Sequence, residues 1–81
     1  MPSPIYERMV SELSALGDLL SHGIVNSALR RVGTDPEGVS LEEAREATTR
    51  HVFDSISSIM GPANAERVVE KIMNRIPIPD R

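Results

Sequence analysis

The chain has 81 residues, a formal net charge of −3 and no cysteine. Its length favours one domain with a thin core, and the lack of cysteine excludes disulfides and thiolate metal sites. The negative charge gives no global attraction to nucleic acid or to anionic membranes. Because no apolar run approaches the roughly 20 residues that span a bilayer, and because no signal segment begins the sequence, we expect a cytoplasmic protein.

The first part of the chain predicts two helices, over about 4–20 and 24–32. Ser3 is a good N-cap and Pro4 suits the first helical position. Gly23 offers a break between the helices, and the alternative is one kinked helix running through it. The apolar face of the first helix follows helical spacing and consists of Ile5, Met9, Leu13, Leu16 and Leu20.

A loop over 33–40 precedes a long helix predicted over 41–60. Ser40 and Glu43 have the spacing of a capping box at its start, and Gly61 is a natural stop. One broad arc of this helix is apolar and contains Leu41, Thr48, Val52, Phe53, Ile56, Ile59 and Met60.

The last helix is predicted over 63–76 and returns along the long helix as a hairpin partner, because the turn at Gly61 and Pro62 is tight. Pro77 and Pro79 predict an extended tail over 77–81. The pattern predicts an all-α fold, a compact bundle of about four helices with a C-terminal helical hairpin. We expect a dimer, because thin helical cores gain buried apolar area by oligomerising.

Charged residues on two helices suggest an interaction surface. Arg45 falls inside the apolar arc of the long helix, where it either extends past the first turn or lies at a subunit contact, which we favour. The last helix carries a basic stripe, which is either a solvated face, a protein-interaction edge or a nucleic-acid contact. The predicted interaction surface consists of Arg45, Val52, Ile56, Arg67, Lys71 and Arg75.

His51 is the one residue whose position suggests a reactive role, that of a phosphoacceptor. It lies at the margin of the apolar arc, where it is either an ordinary boundary histidine or the phosphoacceptor of a histidine-phosphotransfer module. Metal binding is disfavoured because His22 and His51 are far apart and cysteine is absent. No nucleophile elbow or glycine-rich phosphate loop frames a catalytic set, so we expect neither an enzyme nor a bound cofactor.

Several segments share one pattern of apolar residues and glycine turns, namely Leu16-Gly17, 24–29, 52–61, Ala63 and 68–72. This pattern resembles the small helical output domains of archaeal signalling proteins. In that class a leucine-glycine helix end leads into a second apolar helix, and a later helix ends in a glycine turn before an amphipathic helix. The resemblance implies signal transmission through helix contacts, often in dimers, and it brings no catalytic residue.

We therefore interpret the chain as a non-enzymatic protein-interaction or dimerisation module, a regulatory adaptor that stands alone in prokaryotic signalling. Its expected partners are a second copy and an unidentified protein, with no membrane contact. The alternatives are a nucleic-acid-binding transcriptional regulator and a phosphotransfer module that uses His51.

Overall fold

The computed structural model describes residues 2–77, which form four helices and no strand. Helix α1 is Pro4–Glu12 and helix α2 is Asp18–Arg31, with a short 3₁₀ turn at Ser14–Leu16 between them. Helix α3 runs over 41–60 and helix α4 is Pro62–Arg75. The predicted all-α bundle of about four helices is confirmed.

Helix α1 begins where the sequence predicts. The Tyr6 N–H donates to the Ser3 hydroxyl at 3.2 Å, and Pro4 occupies the first turn, where its missing N–H leaves no helical bond unmade. The start of α1 is also bonded to a distant segment of the chain, because the Ser3 N–H donates to the Pro36 carbonyl at 2.9 Å. This bond holds the start of α1 against the loop that precedes α3.

The predicted break between the first two helices is wrong. The helices predicted over 4–20 and 24–32 are separated at 13–17, where Gly17 has φ +97°, a backbone conformation that favours glycine. Gly23 lies inside α2. The physical reason is burial of apolar side chains. A break at 13–17 keeps Leu13 in the core and lets α2 bury Ile24 and Val25. This burial offsets the cost of about 1 kcal/mol for a glycine inside a helix.

Helix α3 has the predicted start and stop. The Ser40 N–H donates to Glu43 Oε1 at 2.9 Å, and the Glu43 N–H donates to the Ser40 hydroxyl at 3.1 Å, so the capping box is complete. Gly61 ends the helix with φ +90° and connects directly to Pro62. The second half of α3 packs along α4, as expected of a hairpin.

One feature inside α3 is not predicted by the sequence pattern. Between Leu41–Glu46 and Phe53–Met60 the helix widens into a π-helical turn, Ala47–Val52, and the Phe53 N–H donates to the Thr48 carbonyl. The Thr49 hydroxyl donates to the Arg45 carbonyl at 2.9 Å, a local bond that competes with the regular helical ladder. A π turn contains more residues per turn than an α turn, so it shifts the helical phase of the residues that follow it.

The core lies where α2, α4 and the π-helical turn of α3 meet, with α1 closing one side against α4. It is mostly aliphatic, with Tyr6 buried in it and the partly buried ring of Phe53 packed against it. The tail predicted over 77–81 lies outside the described residues beyond Pro77. The largest fully buried apolar side chains are Met9, Leu13, Val25, Leu29, Val52, Ile56, Ile72 and Ile76.

Candidate interaction surfaces

The most exposed large apolar side chain in the described residues belongs to Leu19, which is 91% exposed beside Leu20 at 45%. Both lie in the first turn of α2, directly after the Gly17 turn. Leu16 lies before this turn and packs in part against the core. We call Leu16, Leu19 and Leu20 the leucine corner. Leu19 and Leu20 leave neighbouring apolar area in water, and contiguous apolar area of this kind is where proteins associate.

The sequence pattern missed this corner. A first helix running to residue 20 places Leu16 and Leu20 on the buried face of α1, and Leu19 has no place in that pattern. Because α1 ends at Glu12 and α2 begins a new helical phase at Asp18, Leu20 turns outward. The signal that was available is Gly17, which follows Leu16 and allows the positive φ of the break.

Two residues of the predicted surface belong to the core instead. Val52 and Ile56 are both 0% exposed, so they hold helices of the same chain together and cannot meet a partner without unfolding. An apolar arc on a helix looks the same whether it packs inside the chain or against another one. Ile59, predicted in the same arc, is 50% exposed and lies next to the end of α3.

Arg45 is exposed near the start of α3 and forms no ion pair within residues 2–77. This exposure agrees with the favoured reading of Arg45 as a contact residue, and the subunit contact itself stays a prediction. Arg50, one turn further along, has a partner on its own helix, since its Nη1 lies 3.6 Å from Glu46 Oε2. Arg45 thus stays a candidate contact residue by exposure and charge.

The basic stripe of α4 is solvent-facing, and it meets α1. Arg67, Lys71 and Arg75 are all exposed. Arg75 Nε lies 3.4 Å from Glu12 Oε2, and Arg8 Nη1 donates to the Arg75 carbonyl at 3.0 Å. The stripe therefore ends in a mixed cluster in which one carboxylate is already held by Arg75.

A shallow cleft marks the end of the stripe. It has a volume of about 330 Å³ and is lined by Glu12, Lys71, Asn74 and Arg75. The sequence does not predict that Arg8 and Glu12 lie beside this cleft, because both residues are far from α4 along the chain. The carboxylate of Glu12 reduces the attraction of the cleft for an anion.

His51 lies in the π-helical turn and is half-buried. No hydrogen bond or ion pair in the described part of the chain orients its imidazole. His22 is the better-held histidine: its Nδ1 lies 2.7 Å from the Asp18 carbonyl oxygen, and its ring centroid is 6.0 Å from that of Tyr6. The arrangement thus gives His51 no neighbour that would activate it as a phosphoacceptor.

Within residues 2–77 no group of three or more histidine, aspartate or glutamate side chains is placed to hold a metal ion. Over the same residues, none of the helices combines the length and the apolar character needed to cross a membrane. What stands out on this surface is one apolar corner and one basic stripe.

Comparisons of the chain with protein-family models, with curated proteins and with solved structures found no match. A proposal about function therefore rests on the leucine corner and the basic stripe. Of the six residues predicted for an interaction surface, four are exposed and two are core residues.

Proposed function

We propose that the chain is a non-enzymatic protein-interaction module that pairs with a second copy of itself through the leucine corner. The observation that carries the proposal is the exposure of Leu19, 91%, beside Leu20, 45%. Fully burying one leucine side chain is worth roughly 1.5–3 kcal/mol. A surface that leaves this free energy unused on the monomer is suited to association.

The proposed pairing is a two-fold one, in which the same corner of both copies meets itself. Two copies then bury Leu19 and Leu20 twice. That gain is of the same order as the lower end of the association cost, about 4–15 kcal/mol. We therefore expect a weak, reversible dimer with a dissociation constant in the millimolar range, which suits a regulatory contact.

A role as an adaptor needs a second surface for another protein. The exposed cations Arg67 and Lys71 on α4, together with Arg45 on α3, supply charge for an acidic partner, whereas Arg75 is engaged by Glu12. The resemblance of the glycine turns and apolar segments to archaeal output domains supports a role in prokaryotic signalling. We propose that self-association uses the leucine corner and leaves the basic stripe free for that partner.

The experiment for this proposal is sedimentation equilibrium of the wild-type chain over a range of concentrations. We expect the apparent mass to rise from that of one chain, 8.9 kDa, toward twice that value as concentration is raised into the millimolar range. A chain that stays strictly monomeric at millimolar concentration contradicts the proposal. Circular dichroism of the same samples verifies that the helices are intact.

Nucleic-acid binding is the second candidate, and the observation that favours it is the cluster of Arg8, Lys71 and Arg75 where α1 meets α4. Glu12 and the net charge of −3 oppose it. If the stripe contacts phosphates, binding to a DNA or RNA duplex must weaken steeply with salt, because counterions are released on binding. The absence of any binding at low salt contradicts this candidate.

A further inference from the structure

The exposed face of α4 carries two rows of like charge. The basic stripe, Arg67, Lys71 and Arg75, has one cation every four residues. Glu66 and Glu70 lie beside it, also four residues apart, and we call them the acidic row. Residues four apart are neighbours on the surface of a helix, about 6 Å from one another along its axis. The face therefore presents a regular pattern of charge to solvent.

This order of charges does not stabilise α4 by itself. A helix gains stability when residues four apart have opposite charges and loses it when their charges are alike. Within each of the two rows the neighbours are alike. Arg67, Lys71 and the two glutamates also form no ion pair within residues 2–77. A partner that brings the opposite charge to each row relieves this repulsion.

Two shallow clefts follow one another along α4 beside these rows. The first has a volume of about 280 Å³ and is lined by Glu66, Arg67, Val69 and Glu70. The second is the cleft of about 330 Å³ at the end of the stripe, where Lys71 and Arg75 line it. Side chains of a partner that lies along α4 can enter both clefts and reach cations in each.

Glu12 already holds the position that a carboxylate of the partner would take at Arg75. Its Oε2 atom lies 3.4 Å from Arg75 Nε, which is longer than the roughly 2.7–2.9 Å of a strong charge-assisted bond. The Arg75 side chain is 57% exposed, and a guanidinium has five N–H donors. Arg75 can therefore accept a second carboxylate, and Glu12 weakens its attraction for one.

These features select the chemistry of the partner. A nucleic acid is negatively charged along its whole length, so the acidic row and Glu12 both repel it. A protein helix can carry carboxylates about 6 Å apart in one row and cations in the next. Such a helix matches the basic stripe and the acidic row together, whereas a uniformly negative partner matches only the stripe.

We propose that α4 binds an acidic helix of another protein, whose carboxylates contact the basic stripe and whose neighbouring cations contact the acidic row. Glu12 competes with that helix for Arg75. This inference rests on the part of the proposed function that assigns the basic stripe to an acidic partner, and it does not depend on self-association.

The test uses the whole chain and a synthetic peptide. The peptide is alanine-based and about 20 residues long, so that it forms a helix alone, with glutamate at every fourth position and lysine in the adjacent row. NMR titration of the isotope-labelled chain, at a concentration where it is a monomer, measures binding. We expect saturable shifts of the Arg67, Lys71 and Arg75 N–H signals, and binding that weakens as salt is added.

Two charge reversals locate the contact. Lys71→Glu changes an exposed side chain in the stripe and is expected to weaken binding at least about tenfold, because like charges then meet. Arg31→Glu is the matched control, because it reverses an exposed cation on α2, and it must bind as the wild type does. Glu12→Gln releases Arg75 and is expected to strengthen binding about threefold.

Glu70→Lys distinguishes a helix with two rows from a uniformly negative partner. It adds positive charge to α4, so it strengthens the binding of any polyanion. The proposed helix carries cations opposite the acidic row, so Glu70→Lys is expected to weaken its binding at least about threefold. A DNA duplex serves as the polyanion in the same titration.

Three results overturn the proposal. The first is the absence of saturable shifts with the peptide while the spectrum stays well dispersed. The second is binding that Lys71→Glu leaves unchanged, which places the peptide elsewhere. The third is binding of peptide and DNA alike that Glu70→Lys strengthens, which identifies a general polyanion surface. Sedimentation of the chain without peptide tests self-association separately, so a failure of this proposal is distinguished from a failure of the dimer.

Discussion

Arg75 Nε lies 3.4 Å from Glu12 Oε2, so an ion pair joins the end of α4 to the end of α1. Arg8 strengthens the same corner by donating to the Arg75 carbonyl, one of the last carbonyls of α4, which lack helical partners. The sequence pattern does not predict this contact, because Glu12 and Arg75 lie far apart along the chain and only the packing of α1 against α4 brings them together.

The first prediction concerns this pair. Glu12→Gln removes the charge and keeps the shape, and we expect the free energy of unfolding to fall by less than about 1 kcal/mol, since Arg75 is more than half exposed and solvent screens the pair. Urea denaturation measures the change, which must shrink as salt is added. Glu70→Gln, an exposed change in the interior of α4 away from both helix ends, is the control and is expected to have a smaller effect.

The second prediction concerns Thr48, which is fully buried in the π-helical turn and whose hydroxyl has no hydrogen-bond partner within residues 2–77. Thr48→Val replaces that hydroxyl with a methyl group of similar shape. Because an unpaired buried hydroxyl is costly, we expect the variant to be more stable by about 1 kcal/mol. Thermal unfolding measures the gain.

Thr49→Val is the matched control for Thr48→Val. The Thr49 hydroxyl is exposed and donates to the Arg45 carbonyl at 2.9 Å. Its loss leaves no buried group unpaired, so we expect no gain in stability. If Thr48→Val lowers the melting temperature and Thr49→Val does not, the Thr48 hydroxyl has a partner and the account of this turn is wrong.

The third prediction locates the break between α1 and α2. Gly17 has φ +97°, so Gly17→Ala is expected to cost about 1–3 kcal/mol of stability through backbone strain. Gly23 lies inside α2, and a methyl group there meets nothing within 4 Å. Gly23→Ala is therefore expected to stabilise the chain by about 0.5–1 kcal/mol. If Gly17→Ala instead melts at a higher temperature than Gly23→Ala, the break lies at Gly23.

The fourth prediction concerns pH. The hydrogen bond from the Ser40 N–H, aided by one from the Thr34 hydroxyl, holds the pKa of the Glu43 carboxyl below its ordinary value of 4.5. A pKa that is lower in the folded chain means that ionised Glu43 stabilises the fold above pH 4.5 and that this contribution is lost as pH falls through the folded value.

Denaturation of wild type and Glu43→Gln across this pH range measures the contribution. The difference in the free energy of unfolding must be largest near neutral pH and must shrink below pH 4.5. Glu42→Gln removes an equal charge from the same turn without the bond to Ser40, so the difference between the two variants isolates the capping bond. A difference between wild type and Glu43→Gln that does not change with pH contradicts the assignment.

Local signals in the sequence were sufficient for much of the fold. The capping box at Ser40 and Glu43 and the glycine stop at Gly61 fixed the ends of α3, because each depends only on residues a few positions apart. The break at Gly17 and the π-helical turn were not predicted. They depend on which face of each helix can be buried against the others, and helical spacing alone does not contain that information.

The candidate surfaces show the same limit. Arg67 and Lys71 were predicted to belong to a basic stripe on the last helix, and both are exposed. Val52 and Ile56 were predicted as surface residues, and they are buried. Leu19 was missed, because its exposure follows from the change of helical phase at Gly17. Patterns predict which residues are apolar, whereas the packing of the helices decides which of them remain exposed.

The most direct test of self-association is sedimentation equilibrium of Leu19→Lys beside Ala63→Lys. Both variants add one positive charge at an exposed helix position, and only the first lies in the leucine corner. We predict that Leu19→Lys stays at the 8.9 kDa mass of one chain with unchanged thermal stability, while Ala63→Lys dimerises like the wild type. Equal dimerisation of all three chains would contradict the claim that the leucine corner is the contact between two copies.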